Sequence, residues 1–186
     1  YDQGTCREPE WGDTHCNIAH IVYLANSSGL KVGITRETQV PTRWMDQGAS
    51  QALPIFRVAT RYQSGLIETT LAQHIADKTN WQALIKGESA PVDLTAARDD
   101  LMQRCAAEIA ALQQRFPEQI QPLQEAVQDF RYPVLQYPQK IKSFNLDQSP
   151  DVVGTLQGIK GQYLLFDTGV INIRKFTAYQ VELLTV

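Results

Sequence analysis

The stretch His20-Ile21-Val22-Tyr23-Leu24-Ala25-Asn26-Ser27-Ser28-Gly29-Leu30-Lys31-Val32-Gly33-Ile34-Thr35 decides how the N-terminal half is read. Two runs of β-formers flank a polar Asn-Ser-Ser-Gly turn, so residues 20–25 and 30–35 are expected to pair as a hairpin. Gly33, inside the second run, marks a close approach by another backbone or a ligand. Next, Pro41 opens a short helix carrying Thr42, Arg43, Trp44 and Met45, and Gly48 ends it. Leu53 to Arg61 reads as a third strand. Ser64 is expected to cap a helix whose apolar face holds Ile67, Leu71 and Ile75, with Glu68 beside that face.

Further along, Leu94, Ala97, Leu101, Cys105, Ile109, Leu112 and Phe116 form an apolar stripe at helical period, capped by Asp93 and interrupted by Pro117. Leu123, Val127 and Phe130, between Pro122 and Pro133, predict a shorter second helix, and the two make a helical hairpin with a solvated acidic face. Val152 to Ile159, Gln162 to Asp167, Val170 to Arg174 and Phe176 to Leu184 read as strands of an antiparallel meander. Lys160-Gly161 and Asp167-Thr168-Gly169 stand at its turns, and Val170, Asn172 and Arg174 alternate with Ile171 and Ile173. The fold class is α+β: a three-stranded antiparallel sheet with helices, a helical hairpin, then a C-terminal β-unit. Boundaries are expected at 1–18, 19–90, 91–132 and 133–186.

Composition excludes some classes. The chain has 186 residues, 17 Lys+Arg against 20 Asp+Glu, and 43% hydrophobic residues, as ordinary globular proteins do. Apolar runs such as Ile21 to Ala25 and Tyr163 to Phe166 are too short to span a bilayer, so no membrane partner is expected. The polar opening from Tyr1 lacks a signal-peptide pattern; the chain reads as a piece of a longer protein, cytoplasmic by default. Three cysteines do not suggest a disulfide framework. The net charge of −3 is unevenly spread: residues 17–80 carry six Lys+Arg against four Asp+Glu, while residues 81–130 carry four against eight. The segment with the sharpest pattern is therefore mildly basic.

The order Ile21-Val22-Tyr23, Lys31-Val32-Gly33, Arg43 and a helical Glu68 resembles the GIY-YIG endonuclease superfamily over Ala19 to Asn80. The wider chain, including Gly4-Thr-Cys-Arg-Glu-Pro-Glu-Trp11, is similar to an uncharacterised bacterial family of unknown function with such a core. The resemblance implies a GIY-YIG-like domain over 19–90, a metal-dependent endonuclease-like site and DNA or RNA as partner. It assigns site roles to Tyr23, Lys31, Arg43, Glu68 and Asn80, with Glu68 holding Mg²⁺. This chain departs from the pattern at Lys31, where the second motif has a tyrosine; a lysine there offers a phosphate contact in place of help to the attacking water.

The chemistry fits these types. Phosphodiester hydrolysis needs a placed water, charge neutralisation and leaving-group help. A guanidinium makes a forked contact with phosphate oxygens, and Mg²⁺ takes few protein carboxylates. Each residue also has an ordinary reading: Tyr23 as strand packing, Lys31 and Arg43 as solvated cations, Glu68 as a helix-dipole partner. A non-catalytic nucleic-acid-binding or regulatory protein that keeps the fold, and a protein-interaction scaffold using the acidic helical hairpin and the C-terminal sheet, therefore stand as alternatives. Cys6, His15, Cys16 and His20 form a second constellation suited to zinc, without the spacing of a standard finger. The alternative there is free thiols and surface histidines. Cys105 falls on the helical apolar stripe and reads as a core thiol. Trp44, Tyr62 and Trp81 are aromatic candidates for base stacking, or core residues.

Overall fold

The hairpin forms as its sequence dictates. In the computed structural model, which describes residues 6–75, 80–87 and 90–184, a short helix α1 (Pro9–His15) precedes strands β1 (His20–Asn26) and β2 (Leu30–Arg36). The two strands run antiparallel with Tyr23 opposite Gly33. Helix α2 (Thr42–Asp46) leads into β3 (Gln51–Val58), which pairs antiparallel with the other edge of β1. β1 is thus the central strand, and every residue of it is buried.

Its alternating side chains feed two cores. Val22 and Leu24 join Ile67 and Leu71 of helix α3 (Arg61–Ala72) in the larger cluster. Leu94 and Leu101 of α5 (Leu94–Arg104), Cys105, and Ile109 of α6 (Ala106–Arg115) complete it. Ile21, Tyr23 and Ala25 point the other way and pack with Trp44 of α2 and with Leu123 and Phe130. Burying each such large side chain contributes about 1.5–3 kcal/mol, so the strand is the fold's main anchor. A further short helix, α4 (Trp81–Lys86), stands between α3 and α5 in the chain.

Several expectations are corrected. Thr60, not Ser64, caps α3: its hydroxyl accepts the Gln63 N–H, and the Gln63 side chain accepts the Thr60 N–H at 3.0 Å. Ser64 lies inside the first turn, buried, with its hydroxyl donating to the Arg61 carbonyl at 2.7 Å. The capping box satisfies two orphan N–H groups at once, which a cap at Ser64 does not. The expected helical hairpin is also different. Its first arm is real but broken at Cys105 into α5 and α6. Its second arm is extended: β4 (Ile120–Pro122) and β5 (Gln128–Asp129) both pair with β3. The edge of β3 would otherwise leave backbone groups unpaired, and Leu123 N–H donates to the Ile55 carbonyl at 2.9 Å. Leu123, Val127 and Phe130 are apolar because they bury against the sheet, not because they share a helix face.

The C-terminal meander has three strands, β6 (Leu156–Lys160), β7 (Tyr163–Phe166) and β8 (Val170–Asn172), in that order. Lys160 is still in the ladder opposite Tyr163, so the first turn is Gly161-Gln162, one residue later than expected. The buried Lys160 ammonium lies 5.6 Å from the Tyr132 ring centre and 5.5 Å from that of Tyr137. Gly161 has φ 57°, and a Cβ there would stand 2.9 Å from both the Asp46 carbonyl oxygen and the Gly48 nitrogen. The turn therefore sits directly on the end of α2. The expected fourth strand, Phe176 to Leu184, is absent among the described residues: a 3₁₀ turn over Ile173–Phe176 ends the meander. Val181, Leu183 and Leu184 beyond it are exposed, β-formers with no ladder to join. Among the described residues no helix is long and apolar enough to cross a membrane.

Candidate functional site

A polar groove of about 560 Å³ runs along β2, the edge strand of the first sheet. Tyr23, Lys31, Arg43 and Glu68 all line it. Val32 and Ile34 line it with Lys31 and Gly33, so both faces of β2 contribute and the groove straddles the strand edge. Four elements therefore supply one concavity from positions spread along the chain.

Each wall has a local cause. On α2, Arg43, Asp46 and Gln47 are three and four residues apart and share one helix face, while Trp44 turns inward and is wholly buried. Trp44 meets the Tyr23 ring edge-on at 5.6 Å and the Phe130 ring at 6.1 Å, which fixes the short helix against the sheet. On α3, Arg61 and Glu68 lie two turns apart on the groove side, with Ile67 and Leu71 buried behind them. The meander closes the far side through Gln162, Tyr163, Asn172 and Arg174.

Tyr23 forms the floor. It is fully buried, and its hydroxyl accepts the Gln47 Nε2–H at 2.9 Å. Burial pushes the phenol above its ordinary value; the Arg43 guanidinium and the Gln47 amide pull the other way, and Glu68 adds to the rise. The phenol is therefore protonated near neutral pH. A close approach is found at Gly33, but by a side chain and not the expected backbone or ligand: a Cβ there would stand 2.7 Å from the Tyr23 hydroxyl oxygen. Asn80 takes another place. Its side chain accepts the N–H groups of Gln82 and Ala83 at 3.1 and 3.2 Å, capping α4, and it does not line the groove.

A second groove of about 760 Å³ adjoins the first, sharing Arg43, Asp46, Arg61 and Arg174 with it. Trp11, His15, Cys16, His20 and Arg36 also line it. His20 is buried, its Nδ1–H donates to the Ile18 carbonyl at 2.7 Å, and Nε2 has no partner among the described residues. Burial first, then Arg61 and Arg36, hold the imidazole below its ordinary value of 6.5, so it adds no charge. Cys6 lies with Cys16 at a third concavity. Both thiols are free, and among the described residues no group of three or more His, Cys, Asp or Glu is placed to hold a metal ion. The four residues suited to zinc are thus not drawn into one set. Cys105 is the buried core thiol its spacing suggests, and burial raises its pKa.

Magnesium asks for less: one or two carboxylates and room for water. Glu68 and Asp46 both line the open groove and offer hard-oxygen donors of that kind. Arg61, Asn172 and Arg174 escape a motif reading. Their signals are present all the same: Arg61 stands seven residues before Glu68, and Asn172 and Arg174 alternate with Ile171 and Ile173.

The fold and groove define an α+β protein with antiparallel sheets and a cation-lined cleft. The chain belongs to the family described as Protein of unknown function (DUF2797), which matches residues 1–181. Comparison with curated proteins and with solved structures gives no match.

Proposed function

We propose that the groove along β2 binds a phosphodiester of DNA or RNA and, with Mg²⁺ on Glu68, hydrolyses it in the manner of GIY-YIG endonucleases. One observation carries this reading: Tyr23, Arg43 and Glu68, which follow that superfamily's motif order, line one groove with Lys31, which stands at the second motif's tyrosine position. Arg43 makes the forked contact with the phosphate, and Lys31 adds a point charge. Tyr23, buried and protonated, is a positioning residue: its hydroxyl is bonded by Gln47 and lies within the influence of the Arg43 guanidinium at the groove floor. When bound, Mg²⁺ supplies charge neutralisation and a more acidic water.

Incubation of the protein with single- and double-stranded DNA and RNA, with Mg²⁺ or Mn²⁺, tests the proposal. Cleavage is expected, and both Glu68→Ala and Arg43→Ala abolish it. Cleavage untouched by either substitution overturns the assignment. A second reading, a binder that has lost the chemistry, is favoured by Lys31 at the tyrosine position and by the complete burial of Tyr23. It expects salt-sensitive binding without metal-dependent turnover. Absence of binding at low salt ends both readings.

A further inference from the structure

We infer that the second groove is the track of a single-stranded nucleic acid, which enters across Arg36, stacks one base on Trp11 and delivers its phosphate to the first groove. This rests on the phosphodiester reading of that first groove and adds a substrate class and a binding path to it.

The two concavities are one path. Arg43, Arg61 and Arg174 line both, and Arg36 extends the row into the second. None of these four guanidiniums forms an ion pair among the described residues, although Asp46 lines the same walls. Converging cations repel one another, and among the described residues these four form no ion pair with Asp46 or Glu68, the carboxylates that share the walls. A chain of phosphates does, and several unpaired cations in a row match a repeating anion better than a single one.

Trp11 adds the second half of the argument. It is 56% exposed on the rim of the groove, an unusual place for an indole. One face of it stacks on the His15 ring at 4.0 Å between centroids and 8° between planes. That imidazole is itself held, since its Nδ1 lies 2.9 Å from the Trp11 carbonyl and 2.8 Å from the Thr14 hydroxyl. The result is a rigid aromatic step beside a row of arginines. A base in a duplex has both faces covered by its neighbours, so only an unpaired base can use the step. The backbone-plus-stacking arrangement therefore selects single strands, without reading their sequence.

Fluorescence anisotropy with labelled twelve-nucleotide oligothymidylate, oligouridylate and a duplex of equal length, in the absence of metal, tests this. Both single strands are expected to bind about tenfold more tightly than the duplex, in line with the energy of one stacked base. Trp11→Ala is expected to weaken single-strand binding about tenfold, and Trp11→Phe to restore most of it, which a merely structural role of the indole would not do. Arg36→Ala is expected to lower the slope of log affinity against log salt by about 0.7, the value for one phosphate contact on a single strand. A duplex bound as tightly as the single strands, or full affinity in Trp11→Ala, overturns the inference. If Arg43→Ala destroys binding while Trp11→Ala does not, the track is wrong and the first groove stands. If Trp11→Ala weakens binding while Arg43→Ala and Glu68→Ala change neither binding nor turnover, the track stands and the first groove's chemistry falls.

Discussion

The groove and the surface away from it use arginine in opposite ways. Away from the groove, Arg57 bonds both carboxylate oxygens of Glu37, at 2.8 and 3.0 Å, and Arg98 and Arg104 on α5 pair with Asp99 and Asp100 at 2.9 and 3.4 Å. In the groove, Arg36, Arg61 and Arg174 meet no carboxylate within ion-pair distance among the described residues. Paired surface cations contribute little stability. Cations left unpaired in one concavity contribute none, and they are available to an anion outside the chain, as the proposed function requires. The same residue type thus reports two different pressures, and the difference can be broken experimentally.

The largest expected effect is on the groove side. Arg43→Ala should lower metal-dependent turnover by about two orders of magnitude, as loss of one transition-state donor does elsewhere. It should also move folding stability by no more than about 0.5 kcal/mol, as surface changes usually do. Single-turnover kinetics and urea denaturation read the two separately. If stability falls instead, Arg43 belongs with the structural arginines and the contrast dissolves.

Gly33→Ala comes next, and should affect both quantities. The new methyl meets the Tyr23 ring, so a destabilisation of about 1–3 kcal/mol is expected. Turnover should fall with it, because Tyr23 and Arg43 line the same groove and influence each other electrostatically. Tyr132→Phe tests the interior near the α2 end. Its hydroxyl donates to the Ala49 carbonyl at 2.9 Å, and its loss should cost about 0.5–1.5 kcal/mol. Burial, with Asp46 and Tyr137 adding to it, raises the Tyr132 pKa above the ordinary 10.0. The unfolded chain then releases its proton near pH 10 while the folded one keeps it. The stability this contributes is complete below pH 10.0 and is lost as pH rises beyond it. Denaturation midpoints between neutral pH and pH 11, with the phenylalanine variant losing part of that alkaline slope, check the sign.

The smallest effect sharpens the other side. Arg104→Ala should cost at most about 0.5 kcal/mol and leave oligonucleotide affinity unchanged. An altered affinity would mean that the binding surface reaches α5.

How much of this could be read from the sequence depended on how local the signal is. The β1–β2 hairpin and α2 rest on neighbouring residues, and both lie where the residues predict them. Tyr23, Lys31, Arg43 and Glu68 were legible because their order is itself the signal. Leu123, Val127 and Phe130 misled because three apolar residues at mixed spacings of four and three suit a helix as well as an edge that folds back on β3. Nothing local says that β3 needs that cover. Arg174 was invisible as a site residue because its relation to Arg43 exists only once the meander is laid against α2. Phe176 to Leu184 has strand composition, but composition cannot supply the neighbour a strand must pair with.

The contact between Gly161 and the end of α2 fixes something the sequence does not advertise. The backbone of Asp46 and Gly48 stands where a side chain at 161 would go, so this hairpin tip has no room to grow. A residue inserted there, or an affinity tag grafted into that turn, would act as a wedge. It would lift the meander from α2 and carry Arg174 away from Arg43, opening the groove without altering Tyr23, Lys31, Arg43 or Glu68. Loop engineering in this protein therefore has one forbidden address, and it is a turn that looks from outside like the natural place to begin.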